Sequence, residues 1–112
     1  MSEQESQLDP VLLPITRLKI CAALAAGGAT EEKVRAEMRF AHLRDLIGVP
    51  DATLSEQLTI LEEHGYISRF HEYGSTRAKD TVWVTLTTAG LAAYRGHAAA
   101  LRSIAGEDNA SG

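Results

Sequence analysis

The sequence predicts a mainly α-helical α+β domain, several helices around one core completed by a small antiparallel β-hairpin. Three observations lead to it. Apolar residues recur at helical spacing in separate segments; glycine and proline breaks at Gly27-Gly28, Gly48-Val49-Pro50 and Gly65 divide those segments; and two strand-like runs flank the turn Gly74-Ser75-Thr76. A chain of 112 residues suits a single core, since this size buries roughly 60 to 70% of its unfolded surface.

Asp9-Pro10 is a cap followed by a proline suited to a first helical position, so Val11 to Leu13 reads as one short turn before Pro14 restarts the chain. Thr16 to Ala26 forms the first helix, with Leu18, Cys21, Ala22, Leu24 and Ala25 as its apolar face and Gly27-Gly28 as its stop. Thr30 with Glu31, Glu32 and Lys33 looks like another helix start, which predicts a short polar surface helix over Glu31 to Glu37, anchored only by Val34, Ala36 and Met38. Phe40, Leu43, Leu46 and Ile47 then mark a second core helix, Ala41 to Ile47.

After the break at Gly48-Val49-Pro50, Asp51 is placed to cap a third helix running to His64. Its Leu54, Leu58 and Leu61 are spaced four and three, one inward stripe that leaves the other faces to a partner. Past Gly65, Tyr66 to Tyr73 alternates with Ile67, Arg69 and His71 on one side, and Thr81 to Leu86 is β-branched and aromatic, so the two pair as a hairpin. Thr87 caps a final alanine-rich helix, 88 to 104, that tolerates Gly90 and Gly96. Along it Leu91, Tyr94, Ala98, Leu101 and Ala105 keep heptad spacing, which suits either a homodimer contact or packing on the subunit's own first helix. The ordered domain is expected over 9–104, with 1–8 and 105–112 as disordered tails because they are small, polar or acidic.

Composition narrows the function classes. No apolar run approaches the roughly 20 residues of a membrane span, and Met1 to Gln7 lacks a basic start or apolar stretch, so a cytoplasmic protein without membrane partners is expected. Cys21 sits in an apolar helical run as a small hydrophobe. With His42, His64, His71 and His97, which read as ordinary surface histidines, it makes no close ligand cluster, so neither metal nor cofactor is expected. No phosphate-binding glycine loop, metal-ligand helix or nucleophile elbow is present, which argues against an enzyme.

The helix, helix, tight turn, helix, hairpin, helix order is what winged helix-turn-helix domains use. Arg17-Leu18-Lys19-Ile20, Phe40 to Val49, Leu54-Ser55-Glu56-Gln57-Leu58, Leu61-Glu62-Glu63-His64-Gly65-Tyr66-Ile67 and Leu86-Thr87-Thr88-Ala89-Gly90 resemble MarR/ArsR-like bacterial transcriptional regulators over about residues 15 to 104. The resemblance implies a DNA-binding homodimer with the recognition helix 51–64 in the major groove, the wing 66–86 on the backbone or minor groove, and paired terminal helices. The sequence departs from the pattern in a longer link over 27–38, in Pro50 where a capping serine is common, and in a recognition helix bearing Glu56 and no Lys or Arg.

With the leucines turned inward, Thr53, Ser55, Glu56, Gln57 and Thr59 face outward, either as an ordinary solvated face or as base contacts. Gln57 suits adenine, Glu56 cytosine N4, and Thr53 a thymine methyl or a phosphate. Backbone contacts are expected from Arg39 and Arg44 near the second helix and from Thr76, Arg77 and Lys79 at the wing tip, although Arg39 and Arg44 also have Glu37 and Asp45 as neighbours to pair with. Net charge is −4, and from Arg39 to Leu86 five cations face seven acids, so two symmetric copies and a steep salt dependence are expected. The other readings are a dimeric protein-interaction adaptor on the same fold, and a sensor taking a small-molecule effector between the first and last helices near Trp83 or Tyr94.

Overall fold

The computed structural model describes residues 7–75 and 79–106. A 310 turn (Pro10–Leu12) leads into α1 (Ile15–Ala26), β1 (Met38–Arg39), α2 (Phe40–Ile47), α3 (Asp51–Glu63), β2 (Ile67–Glu72), β3 (Thr81–Leu86) and α4 (Thr88–Ile104). The Asp9 carboxylate accepts from the Val11 amide and so fixes the opening turn. Gly48 and Gly65, at φ of 78° and 75°, let the chain reverse after α2 and α3 where a side chain would be strained.

The core is built where α1, α2, α3 and α4 close over one face of the sheet. Leu54, Leu58 and Leu61 are fully buried with Ile20, Cys21, Leu24, Leu43, Val84 and Leu86. Each such leucine contributes about 2 kcal/mol of apolar burial, enough for the stripe to fix the rotation of α3 about its own axis. The face of α1 is turned from the expected one. Ile20, Cys21 and Leu24 are its buried residues, whereas Leu18 is only half-buried.

Two expectations are corrected here. Residues 31–37 form no helix, because backbone groups at the start of the segment are drawn to the sheet: Leu86 donates to Ala29 O at 2.8 Å, Glu31 donates to Leu86 O at 3.1 Å, and the Thr85 hydroxyl donates to Ala36 O at 2.6 Å. Val34 stands in solvent, so the segment has little apolar surface with which to pay for a helix. The hairpin is also not alone. Met38 and Arg39 pair antiparallel with Val84 and Trp83, giving a three-stranded sheet in the order β1-β3-β2.

The β2–β3 register runs from Ile67↔Leu86 at the root to Glu72↔Thr81 at the tip. Paired residues share a face, so Ile67, Arg69 and His71 lie on the side of α3, with Met38, Val82, Val84 and Leu86. Ser68, Phe70, Trp83 and Arg39 lie on the other side. Among the described residues, no helix is long and apolar enough to cross a membrane.

Candidate nucleic-acid interface

The inward leucines leave α3 with a polar outer surface. Ser55, Glu56 and Thr59 are exposed, and Thr53 and Gln57 are half-buried at its edges. Asp51 does not cap the helix as expected: Pro50 occupies the cap position with no side-chain hydrogen bond, and Asp51 is the first helical residue. Its carboxylate still lies where the helix end is most positive. There the Arg44 guanidinium reaches it, Nη1 donating to Asp51 Oδ1 at 2.9 Å while Nε donates to Asp45 Oδ1 at 3.1 Å. Those two hydrogen bonds, Asp51 first, hold the guanidinium still more firmly protonated.

The far end of α3 is met by Arg69, which the charge count included but no site assignment used. Its Nη2 donates to Glu62 Oε1 at 2.8 Å and to Thr59 Oγ1 at 3.1 Å, while the Thr59 hydroxyl donates to Ser55 O at 3.0 Å. The Thr59 hydroxyl is therefore engaged on both its donor and acceptor sides. The signal for Arg69 lay in the strand alternation: once Ile67 points into the core, Arg69 must lie on the same side, toward α3.

The expected phosphate ligands are dispersed. Arg39 stacks over the Trp83 ring, 5.3 Å from its centroid, on the sheet face turned away from Arg69. Lys79 is exposed beside the wing tip; Thr76 and Arg77 lie outside the described residues. Just below, Asp80 accepts from the Gly74 amide at 2.8 Å and contacts His71 Nε2 at 3.2 Å, and these two contacts, the amide first, hold its carboxyl below the usual range.

Along α4 the heptad set divides. Leu91 is buried in the subunit's own core, Tyr94 packs against it, and Ala98 is half-buried, whereas Leu101 and Ala105 are exposed. Besides Ala100, the fully buried position is His97, expected at the surface. Its Nδ1 accepts from the Asp9 amide at 2.9 Å, and burial pushes its pKa down. The Asp9 carboxylate also accepts from the Tyr66 hydroxyl, a bond that raises the phenol to about 12. Burial lifts Cys21 likewise to about 12, which makes it an inert thiol. Of the two aromatic residues expected beside an effector between α1 and α4, Tyr94 packs against the core and Trp83 lies on the outer sheet face. An opening of about 540 Å³ lies between α1 and α2, lined by Ala22, Ala23, Met38, Leu46 and Ile47 with Lys19 and His42. Among the described residues, no group of three or more His, Cys, Asp or Glu side chains could hold a metal ion.

A family model described as a winged helix DNA-binding domain matches residues 16–105. Three solved structures share the architecture at 20% identity. One, NadR in complex with 4-hydroxyphenylacetate, aligns with a TM-score of 0.65 over 91% of this chain and 64% of its own. The zinc-responsive MarR family member ZitR of Lactococcus lactis aligns at 0.60 over 90% and 62%. The M. tuberculosis transcriptional regulator MosR in complex with DNA aligns at 0.65 over 97% and 71%. The chain thus spans just under two thirds of the length of the first two. A search of curated proteins finds no match.

Proposed function

The chain belongs to the winged helix DNA-binding domain family, and we propose from that premise that it is a cytoplasmic transcriptional regulator which reads duplex DNA as a homodimer. The observation that carries this reading is α3 itself. Three fully buried leucines fix its rotation, and the surface left outward carries Ser55 and Glu56, with Thr53 and Gln57 half-buried at its edge, beside a β-hairpin.

In the major groove, Gln57 pairs with adenine N6 and N7, Glu56 accepts from cytosine N4, and Thr53 meets a thymine methyl or a phosphate. Lys79 and Arg77 supply the wing's phosphate contacts. The neighbour solved with DNA supports this mode of action, and the one holding 4-hydroxyphenylacetate favours a small organic effector. Binding rather than catalysis is then the activity.

Dimerisation uses the outer part of α4. Leu91 and Tyr94 are committed to the subunit's own core, so the second copy meets Ala98, Leu101 and Ala105, together with Ile104, which is 53% exposed. Two copies double the phosphate contacts of an acidic protein and demand a two-fold-related site.

The test is selection of bound fragments from a random duplex pool at low salt, followed by gel shift. A two-fold symmetric sequence should be enriched, and Gln57→Ala should lower its affinity by about 1–3 kcal/mol while relaxing one base position. The acidity of α3 favours the adaptor as second reading. A gel that shows no shift even at high protein concentration, the outcome the adaptor requires, would overturn the DNA reading.

A further inference from the structure

Both described arginines that flank α3 are already occupied, and they grip it at opposite ends. Arg44 comes from α2 and takes Asp51, the first residue of the helix; Arg69 comes from β2 and takes Glu62, the last but one. Between those two points α3 runs about 17 Å at the rise of an α-helix. We propose that Arg44 and Arg69 are positioning residues that staple the recognition helix to the preceding helix and to the wing, and are not phosphate ligands. The inference rests on the DNA-binding reading above.

Three features carry it. The N-terminal end of α3 lacks a side-chain cap, and the Arg44–Asp51 pair ties that end to α2 instead. Arg44 uses two different nitrogens on two carboxylates, a fork that the single ammonium of lysine does not reproduce. Finally, turning either arginine to a phosphate would leave Asp45 and Asp51, or Glu62, uncompensated beside the polyanion, which opposes the exchange. Held in place, the pairs set the angle at which Thr53, Glu56 and Gln57 meet the bases, and join helix and wing as one unit.

The two roles give different outcomes. Phosphate ligands obey counterion release: removing one lowers the slope of log K against log salt by about 0.9 per contact, and lysine largely restores binding. Staples leave that slope unchanged. Arg44→Ala, Arg44→Lys and Arg69→Ala should each reduce, by about three- to fivefold, the ratio of affinity for a duplex selected by the unaltered protein to affinity for sheared heterologous DNA. Asp51→Asn should lower the same ratio, and adding it to Arg44→Ala should bring no further loss, because the two act as one contact. A salt slope that falls in Arg44→Ala with rescue by Arg44→Lys, or an Asp51→Asn variant with an improved ratio, overturns the proposal.

Amide hydrogen exchange over Leu54 to Leu61, with no DNA present, tests the staples separately. Faster exchange in Arg44→Ala and Arg69→Ala supports them, and unchanged exchange overturns them. If the unaltered protein selects no duplex, the DNA-binding reading fails and this measurement still decides the structural claim.

Discussion

The two ends of the β2–β3 hairpin are made from the same ladder but are held in different ways. At the root, Ile67 and Leu86 are buried and α4 begins directly against them; at the tip, Glu72 and Thr81 sit in polar surroundings and the contacts are exposed. The root is fixed by steric fit. Thr87 donates its hydroxyl to Gly65 O at 2.6 Å and accepts from the Gly90 amide at 2.9 Å, and its own amide donates to Tyr66 O at 3.0 Å. The tip is fixed by Asp80, through Gly74 and His71. Packing at one end and solvated charge at the other imply that global stability is stored at the root, while the tip is free to serve a partner.

The largest effect that separates them should come from Gly90→Ala. An alanine Cβ there would lie 2.0 Å from Tyr66 O and 2.9 Å from Leu86 Cδ1, so the start of α4 would have to move off the hairpin. Helix propensity alone would make the variant about 1 kcal/mol more stable; the clash should reverse the sign and leave it about 3 kcal/mol less stable by urea denaturation. A gain in stability would show that α4 is not locked onto the root. Thr87→Ala should come next, at about 1–2 kcal/mol, since one hydroxyl both caps α4 and ties it to Gly65. Thr87→Ser should retain most of that stability.

The same contrast explains what could be read in advance. The leucine stripe of α3, the glycine stops, the β3 run and the Thr87 cap follow from local periodicity and local hydrogen bonding, and the structure has them at the expected positions. β1 escaped because two residues carry no period, and its partners Val84 and Trp83 are 46 and 44 positions away. The supposed helix at 31–37 had the right cap and first turn, but Leu86 and Thr85 captured its backbone, a long-range competition invisible to local pattern. His97 was misplaced for a related reason: only the return of Asp9 across α4 gives a buried imidazole its donor. On the proposed interface, the outward face of α3 was readable, whereas the pairing of Arg44 with Asp51 and of Arg69 with Glu62 depended on how neighbouring elements pack.

His97 offers a test of intermediate size away from the hairpin. Its folded pKa is lowered from 6.5 by burial, so the unfolded chain binds the proton more readily than the folded one. Stability from this group is therefore complete above its ordinary value and declines as pH falls below 6.5 toward the lowered folded value. Protonating Nδ1 would set a donor against the Asp9 amide and release the N-terminal turn from α4. Urea midpoints measured from pH 7.5 to 5 should fall for the parent and fall less for His97→Gln. Equal slopes for the two would remove His97 as the source.

The smallest effect belongs to the tip, where its smallness is informative. Asp80 is held below its ordinary pKa by the Gly74 amide and then by His71, so its contribution is present above about 3.8 and is lost as pH drops through the lowered folded value. Both partners are exposed, and solvent screens the pair. Asp80→Ala should accordingly leave Tm and the urea midpoint unchanged, yet accelerate exchange of the Gly74 amide, whose acceptor it removes. If Asp80→Ala instead lowers Tm as much as Thr87→Ala, the tip is coupled to the core through the strands. Wing and recognition helix would then have to be treated as a single rigid reader from root to tip, with Lys79 carried at a fixed distance from α3.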